Sequence, residues 1–432
     1  MLRNRFDRLI PRDRFIRSVG VLAVGIAIGQ GLVIVTSPLL TRLYSPSDFG
    51  VLAVFMSITG LLQVVSSLRY EIAIPLPGDE KNAFVLMVLC FLILIGMTLI
   101  IGLGIWLVGE DLIRWTNSQA LQGYLWLIPL GLFPLGIYEI LSLWAIRTKD
   151  FSNLARTKIS QGIGRVITQI GLGFTPVGTI GLILGEIVGR CLGIKMLSRP
   201  LWLQSKTFFF GVTLKSLGNV ITRYRRFPLF STPSGFLNRS GLNLPPILFS
   251  AFYGSDVAGL MVLCERVLRT PMGLLGQSTA KVFLGEAATL KRDDPEKLYL
   301  LFCTTARRLF LVGVIPIIIV IVFGPWLFRL IFGSEWFQSG VYARFLGLSL
   351  LLEFVASPLS QTTNILERQD LQLVWDVSYF VLVIGTLLFS YWIGFEVKLA
   401  VILYAGSLFF SYSVQMIILW KLLQRFAESK SL

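Results

Sequence analysis

Apolar runs of about 20 residues, broken by short polar turns, recur from one end of the chain to the other. The run "SVGVLAVGIAIGQGLVIVTSPLL" stops at the polar decapeptide "TRLYSPSDFG" (41–50), and "VLAVFMSITGLLQVVSSL" resumes after it. A helix of about 20 residues is long enough to cross a hydrocarbon core of about 30 Å. The pattern predicts spans at 18–40, 49–68, 83–108, 121–145, 156–175, 178–197, 234–253, 257–280, 306–328, 341–365, 371–393 and 398–420. The first span follows a basic segment, as a signal peptide would. It is too long for a signal core and has no small-residue cleavage site, so it is expected to stay in the chain. The fold class this predicts is an all-α integral membrane protein with about twelve transmembrane helices.

Composition sharpens this picture. Of the 432 residues, 54% are hydrophobic and only 15% are charged, against roughly a quarter charged in soluble domains. The net charge of +15 would suit nucleic acid in a soluble protein. In a chain of mean hydropathy +0.74 it is expected instead from basic loops on one side of a membrane, with no nucleic-acid partner. Placing the N-terminus in the cytoplasm puts 29 of the 39 Lys and Arg residues on the cytoplasmic side and five in outer loops, with five inside spans. Both termini are therefore expected in the cytoplasm, and "TRLYSPSDFG", with Arg42, becomes the first outer loop. The chain has no histidine, which removes imidazole acid–base chemistry and imidazole metal ligation. Cys90, Cys191, Cys264 and Cys303 form no CxxC pair and are expected to be buried thiols. No glycine-rich nucleotide loop is present. No cofactor and no metal site is expected, and the chain is not expected to be an enzyme.

Six spans precede and six follow a polar link. The link holds "KTFFFGVTLKSLGNVITRYRRF", in which apolar residues interleave with Lys and Arg as in a helix lying on the inner leaflet. The expected division is an N-terminal six-helix bundle (1–200), a cytoplasmic amphipathic linker (201–233) and a C-terminal six-helix bundle (234–432). The two bundles read as a parallel repeat. "PLLTRLYSPSDFGVL" (38–52) aligns without a gap to "PILFSAFYGSDVAGL" (246–260), matching Ser47 with Ser255 and Asp48 with Asp256 at an offset of 208.

The same hairpin resembles the start of bacterial polysaccharide-biosynthesis flippases of the multidrug/oligosaccharidyl-lipid/polysaccharide exporter superfamily. The residues that carry the resemblance are Arg42, Pro46, Phe49 and Gly50, then "LRYEIAI" (68–74) and, in the second half, "SDVAGLMVLCERVLRTPMGLLGQSTAKVFLGEAA" (255–288). The resemblance implies two six-helix bundles around a central cavity, as in a multidrug and toxin exporter. It implies a flippase that moves undecaprenyl-diphosphate-linked oligosaccharide from the inner to the outer leaflet of the bacterial inner membrane. Lipid-linked oligosaccharide, membrane lipids and the polysaccharide polymerase machinery are the partners it suggests; O-antigen or exopolysaccharide synthesis is the pathway class.

Charges inside spans are the candidate sites, because an unpartnered charge at mid-bilayer costs about 2.5–3.5 kcal/mol on insertion scales. Arg239, with Asn243 nearby, is either a cation holding the diphosphate through its planar fork or a residue snorkelling to headgroups. Arg266 and Arg269 extend the basic patch or are satisfied by Glu265. Arg165 and Arg42 complete the substrate-binding set. Glu186 and Arg190, four apart, can pair on a helix whose Gly181, Gly185, Gly189 and Gly193 form one smooth face. Glu353 and Asp376, with no basic residue near them in sequence, are either ion-coupling carboxyls or protonated acids bonded to a neighbouring helix. A Pro245-Pro246 break in the seventh span is expected beside Arg239. Two rival functions remain: a cation-coupled drug exporter of the same superfamily, and an integral-membrane glycan polymerase or ligase.

Overall fold

The computed structural model describes residues 12–116, 122–208, 212–366 and 368–431. The described residues are mostly helical, and each of the twelve expected spans coincides over most of its length with one long helix. In chain order these are α1 (Arg12–Leu43), α2 (Pro46–Ser66), α3 (Glu80–Thr116), α4 (Leu127–Arg147), α5 (Phe151–Gly173) and α6 (Thr179–Phe208). After a short linker helix (Leu214–Arg223) come α7 (Thr232–Tyr253), α8 (Ser255–Asp293), α9 (Pro295–Phe332), α10 (Phe337–Leu359), α11 (Gln369–Ile393) and α12 (Val397–Ser431). Among the described residues, eight of these helices are long and apolar enough to cross a membrane. The four that fall short are α5, α6, α7 and α8, the helices that carry Arg165, Glu186, Arg190, Arg239, Glu265, Arg266 and Arg269. The chain is a multi-pass membrane protein. The expected basic residues Arg3, Arg5 and Arg8 lie outside the described residues.

The expected first loop is nearly absent. Only Tyr44 and Ser45 separate α1 from α2, so Arg42 belongs to the last turn of α1. The reason is a capping box. The Asp48 carboxylate accepts from the Ser45 backbone N–H at 2.9 Å and from its hydroxyl at 2.8 Å, with Pro46 at the first helical position. The Pro245-Pro246 break is also not seen: α7 runs through both prolines. A proline removes one backbone donor, and close helix neighbours can meet the carbonyl it leaves.

The chain forms two compact units. One takes the described residues up to Tyr44 together with Phe55–Arg239; the other takes Ser45–Val54 with Ser240–Leu432. The boundary at Arg239 lies near the expected end of the linker, but ten residues from the start of α2 belong to the second unit. In the first unit α5 packs between α1 and α6, and a buried core joins Tyr70, Phe84, Trp144, Val220 and Tyr224. Beside that core, Arg147 donates to the carbonyls of Ile74, Pro75, Pro77 and Asp79, closing the link between α2 and α3. In the second unit, α10 packs against α8, α9 and α12, around Phe283, Phe302, Phe354 and Leu419.

The start of α2 crosses the start of α8 inside this second unit. Ser47 and Ser255, the residues matched by the internal repeat, hydrogen-bond through their hydroxyls at 2.8 Å. A Cβ on Gly50 would overlap the Ser255 carbonyl oxygen, and one on Gly259 would overlap that of Pro46. Phe49 is wholly buried edge-on against Trp336, with ring centroids 5.0 Å apart. Gly50→Val and Gly259→Val are therefore expected to destabilise by about 1–3 kcal/mol through overpacking. Gly218→Ala, on the open face of the linker helix, should gain up to about 1 kcal/mol from helix propensity. Thermal unfolding of the purified full chain separates these cases; similar unfolding temperatures for all three would contradict the crossing.

Glu71, in the one-turn helix Tyr70–Ala73 between α2 and α3, is 3% exposed and accepts from the Ser67 hydroxyl at 2.6 Å. Burial raises its carboxyl above the ordinary value of 4.5. The folded chain then holds a proton that the unfolded chain has released, so stability falls as pH rises from 4.5 through the raised value. Glu71→Gln keeps the side-chain acceptor and should flatten this part of the pH–stability curve. An unchanged slope in the variant would show that Glu71 ionises normally.

Candidate functional site

The glycine spacing on α6 builds the charged cluster of the first unit. A Cβ at Gly181 would strike Leu172, at Gly185 Gln169, at Gly189 Arg165 and at Gly193 Thr157. The four glycines thus descend the antiparallel face of α5 and let the two backbones approach. The close approach delivers Arg165 of α5 to Glu186 of α6, and the two form an ion pair. Arg190, one turn on, donates to the same Glu186 oxygen through Nε at 3.1 Å and Nη2 at 2.9 Å. The expected Glu186–Arg190 pair is present, and Arg165 makes it a triad. Glu186 is 1% exposed, while Arg165 and Arg190 keep 26% and 17% of their side chains accessible.

Lys158 lies in α5 with its ammonium 4.3 Å from the centre of the Tyr138 ring. Gln63 donates to Glu139 at 3.4 Å. Two cations, Arg165 and Arg190, therefore share one carboxylate, Glu186. Cys191 corrects an expectation: it is exposed, because it points away from the glycine face that packs on α5. Cys90 and Cys264 are buried as expected, and Cys303 is half-buried.

The second unit has the opposite balance. Arg269 of α8 donates to Glu265 at 3.2 Å, one turn back, and to Glu353 of α10 at 2.9 Å. Glu353 has no basic residue near it in sequence, yet in space it faces a guanidinium. The Tyr404 hydroxyl donates to Glu265 at 3.4 Å. Beside the Arg269–Glu353 pair lies a cavity of about 330 Å³ lined by Gly276, Gln277, Phe354, Ser357 and Gln361. Arg266 lies over the Phe49 ring, 5.4 Å from its centre. Asp376 of α11 accepts from Gln372 at 3.2 Å, and its neighbour Trp375 donates to the Ser411 carbonyl at 3.0 Å.

Arg239 is exposed on α7, next to buried Ser240; Asn243 is half-buried one turn further on; Arg42 is exposed at the end of α1. Sequence reasoning missed Lys158 and Tyr138 because neither stands out on its own helix. It also missed Tyr404, whose partner is 139 residues away.

Twelve long helices, with ion pairs between neighbouring helices inside each unit, define a membrane protein of transporter fold. Over 96% of its length the chain superposes on 99% of a multidrug resistance MATE family transporter of the MOP superfamily in an inward-facing conformation, with a TM-score of 0.73 at 12% identity. It matches the lipid II flippase MurJ in an inward closed conformation with a TM-score of 0.71 at 12% identity, covering 95% of this chain and 90% of that one. A MOP superfamily transporter from Pyrococcus furiosus with a binding pocket of reversed polarity gives 0.59 at 14% identity, over 95% and 96% of the two chains. No curated protein matches the sequence. Residues 39–340 match the family described as polysaccharide biosynthesis protein. The chain belongs to that family.

Glu186 holds two guanidiniums with one buried carboxylate, so its removal should cost more than that of either arginine. Glu186→Gln is expected to destabilise by about 3–5 kcal/mol, as breaking a buried pair does. Arg190→Gln should cost less, since Arg165 remains on the carboxylate. Thermal unfolding in detergent tests the order; an Arg190→Gln loss equal to that of Glu186→Gln would refute the shared-carboxylate arrangement.

Proposed function

We propose that this protein flips undecaprenyl-diphosphate-linked oligosaccharide from the inner to the outer leaflet of the bacterial cytoplasmic membrane by alternating access, for surface polysaccharide synthesis. Family membership and the fold shared with a lipid II flippase support the reading. The observation that carries it is the positive surplus in the first unit, where Arg165 and Arg190 share the single carboxylate of Glu186. A diphosphate crossing an apolar core needs charge-assisted donors, each worth about 1.5–3 kcal/mol. Guanidiniums supply them in a planar fork at any physiological pH. Arg165, Arg190 and Arg239 are the proposed diphosphate ligands of the first unit; Arg42, Asn243, Arg266 and Arg269 are further candidate contacts to the substrate. Glu353 and Asp376 are the proposed coupling carboxyls, with Arg269 setting the charge on Glu353.

One observation favours a second reading, a cation-coupled drug exporter: in the second unit two carboxylates, Glu265 and Glu353, share the single cation Arg269. The two readings part on one experiment. A strain lacking its oligosaccharide flippase is complemented with variants at matched protein levels, and surface glycan and inner-leaflet lipid-linked glycan are measured. Arg239→Ala and Arg165→Gln should lower surface glycan about tenfold or more, and Arg239→Lys should keep part of it, because it retains charge without the fork. Full restoration of surface glycan by Arg239→Ala and Arg165→Gln together would remove both residues from the transport path. Failure of the wild-type chain to restore glycan, with drug efflux instead, would favour the exporter.

A further inference from the structure

The linker helix, Leu214–Arg223, divides its surface three ways. At 100° per residue its apolar side chains fall on one stripe, with Val220 and Leu217 at one edge and Ile221 and Leu214 at the other. The first edge is used by the protein. Val220 is 3% exposed, and with Leu217 and the following Tyr224 it packs into the core around Tyr70, Phe84 and Trp144. The second edge is not covered: Leu214 is 89% exposed and Ile221 42%. Leu229 and Phe230, just after the helix, are exposed in the same way. The rest of the circumference is polar, and Lys215, Arg223, Arg225 and Arg226 are all exposed.

The fold also fixes this helix in place without any ligand. Thr213 and Ser216 form a reciprocal capping box, at 3.1 and 2.9 Å. The Tyr70 hydroxyl donates to the Ile221 carbonyl at 3.4 Å. The apolar edge is thus presented on a rigid element beside the link between α2 and α3. Charge along this stretch of the chain is of one sign. From residue 187 to residue 255 the sequence has nine Lys or Arg residues and no Asp or Glu. No acidic side chain within that stretch neutralises Lys215, Arg223, Arg225 or Arg226.

We propose that the linker helix and the turn after it are a docking surface for anionic phospholipid headgroups of the membrane leaflet on that side. Leu214, Ile221, Leu229 and Phe230 enter the acyl-chain boundary, and Lys215, Arg223, Arg225 and Arg226 meet the phosphates above it. A helix with protein on one edge, apolar side chains on the next and cations on the third has the amphipathic pattern of an interfacial helix. Exposed basic residues at that depth draw anionic lipid in preference to zwitterionic lipid. The exposed apolar edge selects a lipid surface over a soluble anion, which would leave those four side chains in water. This inference does not rest on the transported substrate.

The test uses the full chain in nanodiscs of phosphatidylcholine with 30 mol% phosphatidylglycerol (about 30%, enough anionic lipid for a surface potential). Native mass spectrometry counts the lipids retained. The wild type should retain phosphatidylglycerol over phosphatidylcholine. The K215Q/R223Q/R225Q/R226Q variant should lose about tenfold or more of that preference. A charge-keeping R223K/R225K/R226K variant should hold it, and added inorganic pyrophosphate should not displace the lipid. R225Q/R226Q, a milder change in the turn, should give an intermediate loss and covers the case in which the fourfold variant does not fold. Equal retention of the two lipids by wild type, full preference in R225Q/R226Q, or displacement by pyrophosphate would each overturn the proposal.

Discussion

A charge on a helix packed among apolar neighbours must be answered by an opposite charge, and this constraint organises both units. Insertion scales put the cost of leaving one unanswered at about 2.5–3.5 kcal/mol. In the first unit the answer is Glu186, which serves Arg165 and Arg190 together. In the second it is Arg269, which serves Glu265 and Glu353 together. Each arrangement places one buried or half-buried group between two of the other sign, so each leaves a surplus. Apart from Glu353 on α10, these groups sit on α5, α6 and α8, three of the four helices that are too polar to pass as spans by composition.

The surpluses point to different roles. A positive surplus beside accessible guanidinium surface suits an anion that moves through, and in the proposed reading that anion is a diphosphate. A carboxylate surplus next to a polar cavity suits a site whose charge changes during the cycle. The fold shared with transporters of the MOP superfamily is compatible with either cargo, because a fold positions sites without choosing their chemistry.

Small residues make these contacts possible. Helices that meet in lipid gain little from hydrophobicity and must gain from close packing. The glycine ladder on α6 brings Arg165 within reach of Glu186, and Gly50 and Gly259 let α2 and α8 cross backbone to backbone. A larger residue at any of these places would separate the helices and with them the polar groups they carry.

Most of the fold was legible in the sequence. Twelve apolar runs gave twelve helices, since a run of that length has to satisfy its own backbone inside a membrane. The Glu186–Arg190 pair and the smooth glycine face were legible too, because both are set by spacing along one helix. The amphipathic linker was readable from its alternation of apolar and basic residues. The extent of the first loop was not: whether Ser45 and Asp48 close a capping box is decided by a few dihedral angles, and the box shortened the loop to two residues. The internal repeat named Ser47 and Ser255 as equivalents, but only the tertiary structure put their hydroxyls 2.8 Å apart. Glu353 looked solitary for the same reason. Its partner Arg269 is 84 residues away, and Lys158 found the Tyr138 ring across two helices. Periodicity along the chain determines where helices run and which face is apolar. Which charged faces meet depends on how closely two helices pack and in what register, and that is decided by side-chain volume in three dimensions.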